Sequence, residues 1–325
     1  MPITIIDSTL RDGNHAVRHQ ITKEVIRDYS RYANKTGVDI VVVGHGNGLG
    51  ASSLHLGQSL VSDVDMLTIA RHELTRTKLG AFIIPGFGSL KDIDIAISCG
   101  IDVLFVASHV TEANITKEYV TYAHTKHIKT YGVLMMSHMA EYMELWTQIA
   151  SMKEYGVTGV ILMDSAGTYM PHDISNRLCI PHVVDIPLGF HPHNNLGLAV
   201  ANAYEAVRYG ATIIDGTTRG FGAGAGNVPL EIVVPLLHKQ GYETNVNDDR
   251  LFEAAEYLKT IYPPQDITPL SVTSGLSGVF SGFKPLVEKA AKVYNVNPHA
   301  IFRKLGEKRV VAGQEDQIIA VAKSL

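Results

Sequence analysis

Short apolar runs rich in Ile and Val alternate along the chain with amphipathic stretches. Each run ends in glycine or polar residues, as the buried strands of a parallel sheet do. The stretches between them, such as residues 22–37, carry apolar residues at helical spacing with Thr, Asp or Asn near their starts. The runs are ITIID (3–7), VDIVVVGH (38–45), LGAFIIPG (79–86), DVLFVASH (102–109), YGVLMMSH (131–138), GVILMDSAG (159–167), IPLGFHPH (186–193) and TIIDGTTRG (212–220). Eight such units over roughly 240 residues predict a closed (β/α)8 barrel, the TIM barrel.

An open, doubly wound sheet would show the same alternation. That fold usually carries a GxGxxG turn after its first strand, whereas the glycine-rich segment of this chain, residues 220–227, follows the last run. We therefore favour an α/β fold with a TIM barrel over residues 1–245. Beyond it the strand pattern stops, and the apolar spacing of residues 248–262 indicates a helix. Residues 246–325 are expected to form a helical C-terminal region that packs against the barrel and could dock a partner.

The composition is that of a globular protein with a large core, since 46% of the residues are hydrophobic and 18% are charged. A net charge of −4 and a pI near 6.4, with Lys and Arg scattered, offer no basic face to nucleic acid. No apolar run approaches the roughly 18 residues that span a bilayer, and the start MPITIIDSTLRDG lacks the pattern of a secretory signal. We expect no nucleic acid or membrane partner and a cytoplasmic location.

Cysteine, Schiff-base and phosphate-loop chemistry are not expected. Cys99 and Cys179 are too few for a disulfide framework or a cysteine-based zinc site, and we expect buried thiols in helices. A Schiff-base aldolase needs a lysine that projects from a strand into the barrel, but Lys78 and Lys129 only precede their strands, at the wrong end. The glycines of residues 220–227 lack the Lys-Ser/Thr sequel of a phosphate loop, so this segment more often marks close backbone approach.

Polar residues close the apolar runs, at the barrel end where TIM-barrel enzymes have their active sites. His45, His109 and His138 are as easily explained by structural hydrogen bonds as by lining a pocket. Ser165 has no adjacent base, but its hydroxyl and N–H suit a substrate carboxylate, and Asn227 could reach a metal. The candidates in order are Asp7, Thr9, Arg11, Asp12, His15, His45, Asn47, His109, His138, Asp164, Ser165, His191, His193, Asn194, Asp215 and Arg219.

His191-Pro192-His193 is the strongest local motif. Side chains two apart on a strand point to the same face, so both imidazoles can bind one ion. With a carboxylate such as Asp12 and water or substrate in the remaining positions, this set suits manganese, cobalt or a similar divalent ion. The alternative is that the two histidines are ordinary polar residues of a loop with no functional role. Their position at the end of a barrel strand favours the metal site.

The loop Arg11-Asp12-Gly13-Asn14-His15 places a cation, a carboxylate and a titratable base close together. A 2-oxo acid can chelate a metal through its carboxylate and keto oxygens, the metal and Arg11 can stabilise an enolate oxygen, and His15 can take a C4 hydroxyl proton. The alternative is a structural ion pair between Arg11 and Asp12, with His15 capping the next helix.

The motifs as a series resemble the 4-hydroxy-2-oxovalerate aldolase family, within the wider group that holds hydroxymethylglutaryl-CoA lyase and isopropylmalate synthase. They are DSTLRDGNHAVRHQ, HGNGLGASS, SHVTEA, LMMSHM, MDSAGTYM, HPHNNLGLAVAN, GAGAGNVPLE and VVAGQEDQII, and they cover nearly the whole chain in one order. The resemblance implies a carbon–carbon lyase that cleaves or forms 4-hydroxy-2-oxo acids such as 4-hydroxy-2-oxovalerate. The products would be pyruvate and an aldehyde such as acetaldehyde, as in aromatic hydrocarbon catabolism.

The same resemblance implies roles for individual residues. Arg11 matches the enolate-stabilising arginine, His15 the base, and Asp12, His191 and His193 the metal ligands. Ser165 and His191 match contacts to the 2-oxo acid. The usual ion of the family is Mn²⁺, with Co²⁺ or Mg²⁺ as alternatives, and family members associate with an acylating acetaldehyde dehydrogenase through the helical C-terminal region.

The sequence departs from the family pattern at two motifs. Phe280 stands in GVFSGF where the family has a substrate-orienting tyrosine, which puts stereochemical control and substrate preference in doubt more than the metal and base chemistry. HPHNN replaces the more usual HAHHN and loses an imidazole at Asn194, while both metal-ligand positions remain. The C-terminal end is also short for the family, so we expect the dehydrogenase partnership to be altered or absent.

Two other functions compete with the aldolase. A related acyl-CoA condensing enzyme or lyase would keep the barrel and the metal, but the C-terminal motifs match the aldolases. A non-catalytic partner subunit of an aldehyde dehydrogenase would have no need to retain the five residues Arg11, Asp12, His15, His191 and His193.

Overall fold

The computed structural model describes residues 2–178 and 185–325. Eight parallel strands close into a barrel in which each strand pairs with the next, and the last pairs with the first. The strands are β1 (Thr4–Asp7), β2 (Ile40–Val42), β3 (Lys78–Ile83), β4 (Val103–His109), β5 (Lys129–Met135), β6 (Val160–Asp164), β7 (Leu188–Pro192) and β8 (Ile213–Gly216). The predicted TIM barrel is confirmed.

Helices cover the outside of the barrel, in the intervals where the sequence predicted them. Thr22 caps the helix Lys23–Thr36 by accepting the N–H of Val25. Gly37 ends this helix in the left-handed conformation, which glycine adopts at low cost. The helices are α1 (Gly13–Ala16), α2 (Lys23–Thr36), α3 (Asp63–Glu73), α4 (Leu90–Ser98), α5 (Lys117–Thr125), α6 (Tyr142–Tyr155), α7 (Pro171–Leu178), α8 (Ala199–Arg208), α9 (Leu230–Lys239), α10 (Asp248–Lys259), α11 (Pro269–Leu276), α12 (Lys284–Tyr294), α13 (Pro298–Glu307) and α14 (Asp316–Ser324).

Alternate strand residues divide the core into two layers. Ile6 of β1 and Ile161 of β6 belong to the cluster inside the barrel, whereas Ile5 and Leu162 pack outward against the helices. Because strand side chains alternate, the same parity continues at the strand ends. It decides which of the polar residues there can face the barrel mouth.

The C-terminal region has a hydrophobic cluster of its own, which includes Val279, Phe302 and Ile318. It meets the barrel through the N–H of Ser281, which donates to the carbonyl of Ser165 at 2.9 Å. Arg309 also donates to the carbonyl of Met139 at 2.7 Å. These bonds place residues of the C-terminal region over the carboxyl ends of the strands.

Helix α10 packs differently from the helices that follow it. Its buried residues Leu251, Ala254 and Leu258 belong to the large cluster between strands and barrel helices. None of the helices in the described part of the chain combines the length and apolarity needed to cross a bilayer.

The cysteines and strand lysines also have defined positions. Cys99 follows α4 and is only half-buried, so the expectation of a buried thiol within a helix was wrong there, while Cys179 lies outside the described residues. Lys78 and Lys129 are the exposed first residues of β3 and β5, at the barrel end opposite the candidate site.

Candidate metal centre and active site

Three buried side chains converge at the carboxyl end of the barrel. Asp12 follows β1, His191 lies in β7, and His193 comes directly after that strand. Each offers one ligand atom, and these atoms lie within 4.8 Å of one another. Phe190 of β7 packs outward, so His191 points inward, as the strand parity requires.

The surroundings of these three residues fit a divalent cation. Nε2 of His191 lies 4.0 Å from Oδ2 of Asp12, and within the described residues neither this nitrogen nor Nδ1 of His193 has a hydrogen-bond partner. Buried polar atoms are normally paired, so unpaired ring nitrogens beside a carboxylate indicate a ligand that protein atoms do not supply. Two imidazoles with a carboxylate are a donor set suited to a divalent transition metal.

Neighbouring groups hold the three residues in place. Oδ1 of Asp12 accepts the N–H of Ala223 at 2.9 Å and Nδ2 of Asn227 at 2.8 Å. Nδ1 of His191 lies 2.8 Å from Oδ2 of Asp215 in β8. A carboxylate behind a ligating histidine orients the ring and leaves the other nitrogen free for a metal.

The ionisation of the site favours cation binding. Burial alone would raise the pKa of Asp12, but the charge of Arg11 and the contributions of His193 and His15 outweigh it and hold this pKa well below its usual range. Burial lowers the pKa of His193 to about 4. Near neutral pH the site therefore holds an ionised carboxylate and a neutral His193, the forms that bind metals.

Arg11 lies beside the cluster and is almost completely buried. Its Nη1 donates to Oδ2 of Asp12 at 2.8 Å, and its guanidinium sits 4.7 Å from the centroid of the Phe82 ring. The ion pair that the sequence offered as a structural alternative is thus present, and it lies inside the candidate site. A fixed cation at this position can stabilise negative charge that develops on a bound substrate.

His15 lines a cavity next to these groups. Burial lowers its pKa, an effect that the charge of Asp12 opposes. Its ring packs edge-on against His19 at 5.1 Å between centroids and against Phe280 at 6.4 Å. A neutral imidazole open to a pocket can accept a proton from a substrate hydroxyl.

Two cavities meet at Phe280. One has a volume of about 430 Å³ and is lined by His15 and Asn47, together with residues of the C-terminal region. The other has a volume of about 200 Å³ and contains His109 and Ser165. Phe280 lines both, so the residue that departs from the family pattern stands between His15 and Ser165.

Several strand-end candidates do not join the site. For Asp7 and Asp164, the alternation of side chains along a strand explains why they lie outside it. Asp7 accepts a hydrogen bond from Tyr29 of α2, and Asp164 accepts the N–H groups of Thr168 and Tyr169. Both carboxylates follow an inward residue and therefore point outward.

Other candidates have structural bonds of their own. Thr9 receives the N–H of Thr218, and Arg219 donates to the carbonyl of Tyr262. His138 lies 3.1 Å from the carbonyl of Gly278, and Asn194 accepts the N–H of Ala199 at the start of α8.

His19 and Gly46 were not predicted as part of the site. His19 stacks on His45 with ring centroids 3.6 Å apart, and a Cβ on Gly46 would lie 2.5 Å from the ring of His15. His19 follows a turn rather than a strand run, so the strand-end rule could not find it.

Comparison with known families divides the chain into two parts. The HMGL-like family matches residues 2–258, and the DmpG-like communication domain matches residues 265–325. The first match includes all three residues of the candidate metal cluster, and the second includes Phe280.

Individual relatives match over nearly the full length. A protein named 4-hydroxy-2-oxovalerate aldolase from Pectobacterium atrosepticum is 47% identical, over 99% of this chain and 95% of the relative. One of the same name from Spirochaeta aurantia is 46% identical, over 99% of this chain and 96% of the relative. Among solved structures, an HMG-CoA lyase from Brucella melitensis superposes with a TM-score of 0.68 at 16% identity, over 80% of this chain and 98% of that one. At that identity the likeness shows the fold alone.

Proposed function

This chain belongs to the 4-hydroxy-2-oxovalerate aldolase family and, over its barrel, to the HMGL-like family, and from this membership we propose that it is a divalent-metal-dependent aldolase. The reaction cleaves a 4-hydroxy-2-oxo acid, such as 4-hydroxy-2-oxovalerate, into pyruvate and an aldehyde, or forms the acid from them. The observation that carries the proposal is the buried cluster of Asp12, His191 and His193 beside Arg11 and His15, in a chain of this family.

Asp12, His191 and His193 would hold the metal. A divalent cation bound there would act as a Lewis acid toward the 2-oxo acid and stabilise negative charge on its keto oxygen. We propose Mn²⁺ as the ion, with Co²⁺ or Mg²⁺ as substitutes, because two imidazoles and one carboxylate combine borderline and hard ligands.

In the cleavage direction His15 accepts the proton of the C4 hydroxyl. The C3–C4 bond then breaks, its electron pair passes to the keto oxygen of the pyruvate fragment, and C4 leaves as the aldehyde carbon. The guanidinium of Arg11 stabilises the enolate oxygen, where the negative charge develops. Return of one proton to C3, which regenerates the neutral His15, converts the enolate to pyruvate.

Ser165 and Phe280 are proposed to bind substrate. The hydroxyl and backbone N–H of Ser165 suit the substrate carboxylate. The ring of Phe280 supplies an apolar surface between the two cavities and no hydroxyl. The consequence is weaker selection between the enantiomers at C4 than a tyrosine would give, because phenylalanine has no hydroxyl to orient the substrate by a hydrogen bond.

Pyruvate release from racemic 4-hydroxy-2-oxovalerate tests the proposed aldolase function. Metal-stripped protein is assayed with and without added Mn²⁺, Co²⁺ or Mg²⁺, coupled to lactate dehydrogenase. Metal-dependent pyruvate supports the aldolase, with Mn²⁺ the most effective ion. Absence of pyruvate with every ion, and with longer homologues of the substrate, would refute it and favour an acyl-CoA condensing enzyme or a non-catalytic subunit.

The organisation of the chain belongs to the same proposal. We propose a catalytic barrel over residues 1–245 and a helical region over residues 246–325 that docks an acylating acetaldehyde dehydrogenase in the cytoplasm. The match of residues 265–325 to the DmpG-like communication domain supports such a partner. Co-elution of the two proteins on a sizing column, lost when residues 265–325 are removed, is the expected result.

A further inference from the structure

His45 is completely buried, and both of its ring nitrogens are engaged. Nδ1 accepts the backbone N–H of Asn47 at 3.0 Å, so this nitrogen carries no proton. Nε2 lies 3.0 Å from the carbonyl oxygen of Gly57, which can only accept, so Nε2 carries the proton. Together the two contacts fix one neutral tautomer of His45.

The N–H that His45 accepts belongs to the same peptide group as the carbonyl of Gly46. Nη1 of Arg11 donates to that carbonyl at 3.5 Å, and the ring of His15 packs directly against Gly46. Hydrogen bonds on the two sides of one peptide group polarise each other. His45 therefore strengthens the acceptor of the proposed enolate-stabilising cation and holds the backbone against which the proposed base packs.

The fit of His15 against this loop leaves no room for a side chain at position 46. A Cβ there would lie 2.5 Å from Nε2 and 2.7 Å from Cε1 of the His15 ring. Gly46 consequently brings its peptide groups into direct contact with the base, and any movement of the loop moves the ring.

His19 supports the arrangement from the other side. Its ring stacks on His45 at a centroid distance of 3.6 Å and an interplanar angle of 17°, and its Nδ1 accepts the N–H of Gly46 at 3.4 Å. Burial lowers the pKa of His19 to about 2 and that of His45 to about 4. Both rings are therefore neutral near pH 7 and stack without charge repulsion.

We propose that His45 is a positioning residue, which acts through the Gly46–Asn47 peptide group to hold the ring of His15 in place and to fix the guanidinium of Arg11. The ring of His15 packs on Gly46, so a loop that His45 holds still keeps the proposed base in one orientation toward the C4 hydroxyl. The inference rests on the proposed aldolase function, since it assigns His45 a part in that reaction. His45 itself does not contact the reacting atoms.

Three substitutions separate the hydrogen bonds of His45 from the space that it fills. His45→Asn keeps an acceptor near the position of Nδ1, His45→Gln keeps a donor near that of Nε2, and His45→Phe keeps only a flat ring to stack on His19. We expect kcat for pyruvate release to fall about tenfold or more in the Gln and Phe variants, with KM changed less than about threefold. His45→Asn should keep most of the wild-type kcat.

The Asn and Gln variants are a matched pair, because both bury an amide and differ by one methylene group. A general loss of stability would affect both alike, whereas loss of the acceptor for Asn47 affects Gln alone. His72→Asn, at an exposed position of α3, controls for the change of residue type. Equal kcat in wild type, His45→Gln and His45→Phe would overturn the proposal.

NMR of protein labelled with ring-¹⁵N histidine reports the position of His15 without any turnover. The His15 signals are identified by their loss in His15→Asn, and we expect one sharp set in the wild type and in His45→Asn, but shifted and broadened signals in His45→Gln. Sharp and unshifted His15 signals in His45→Gln would contradict the positioning role. A wild type that releases no pyruvate but shows this change between the Asn and Gln variants would refute the aldolase function and leave the orientation of His15 by His45 supported.

Discussion

The two ring nitrogens of His191 illustrate how single residues shape this site. Nδ1 faces Asp215 at 2.8 Å, while Nε2 faces Asp12 and has no partner within the residues that the structure describes. One nitrogen thus lies within ion-pair distance of a carboxylate, although not in hydrogen-bond geometry with it, and the other is left for a ligand. We therefore expect Asp215 to influence the candidate metal centre through His191.

Replacement of Asp215 by Asn should weaken metal binding. Removal of the carboxylate behind a ligating histidine makes the ring a weaker ligand and leaves its orientation less fixed. Such a loss lowers the affinity for the metal by about 10- to 100-fold. We expect that range for the Kd of Mn²⁺ measured by titration calorimetry. Asp249→Asn, on the exposed side of α10, is the control, and an unchanged Kd in Asp215→Asn would show that Asp215 has no influence on the centre.

Replacement of His15 by Ala should separate turnover from metal binding. Loss of a general base costs about 10²- to 10⁴-fold in rate, whereas the ligand cluster does not include His15. Pyruvate release should therefore fall to near background while the Kd of Mn²⁺ stays within a fewfold of the wild type. Wild-type turnover in this variant would exclude His15 as the base.

Strands and loops contribute to the site in different ways, and the sequence predicted only the strand contribution well. The Ile- and Val-rich runs sufficed for the barrel, because a buried strand needs little more than apolar side chains. Strand ends alone nominated Asp7 and Asp164 beside the residues that converge in the candidate site. Their parity relative to Ile6 and Ile161 would have excluded both. The stack of His19 on His45 joins two loops that lie far apart in the sequence. The spacing of apolar and polar residues contains no signal for such a contact.

Asp164 at the end of β6 should make stability depend on pH. Burial raises its pKa to about 6, against an ordinary value near 3.8, with the N–H groups of Thr168 and Tyr169 opposing the shift. Because the folded state holds the proton more tightly, this carboxyl contributes stability below about pH 4 that is lost as the pH rises to about 6, by about 3 kcal/mol.

Asp164→Asn removes that titration, and the difference between the two proteins measures it. The free energy of unfolding of the wild type relative to Asp164→Asn should decrease between pH 4 and 6.5 and then stay constant. Chemical denaturation across this range provides the measurement. A difference that is independent of pH, or one that grows as the pH rises, would contradict the raised pKa.

At the scale of the whole molecule, the candidate metal ligands come from one part of the chain, whereas both parts contribute walls to the cavities. Asp12, His191 and His193 all lie in the part matched by the HMGL-like family, whereas Phe280 and Ser281 lie in the part matched by the communication domain. The division at residue 245 stays a prediction. Helix α10 beyond it contributes Leu251 and Leu258 to the barrel core, which helical spacing alone does not reveal.

A chain that ends at Asp266 should bind metal but not turn over substrate. The barrel and the C-terminal region have separate hydrophobic clusters, so the shortened chain retains its core and all three candidate ligands. It loses Phe280 from both cavities and the bond from Ser281 to Ser165, which leaves the pocket open to water.

We expect a rise in the Tm of the shortened chain on addition of Mn²⁺, as for the full chain, because a ligand of the folded state stabilises it. Pyruvate release should fall by about 10²-fold or more, since an open pocket positions the substrate poorly. Full activity would show that the C-terminal region only docks a partner, and a melt unaffected by Mn²⁺ would show that the metal centre depends on it.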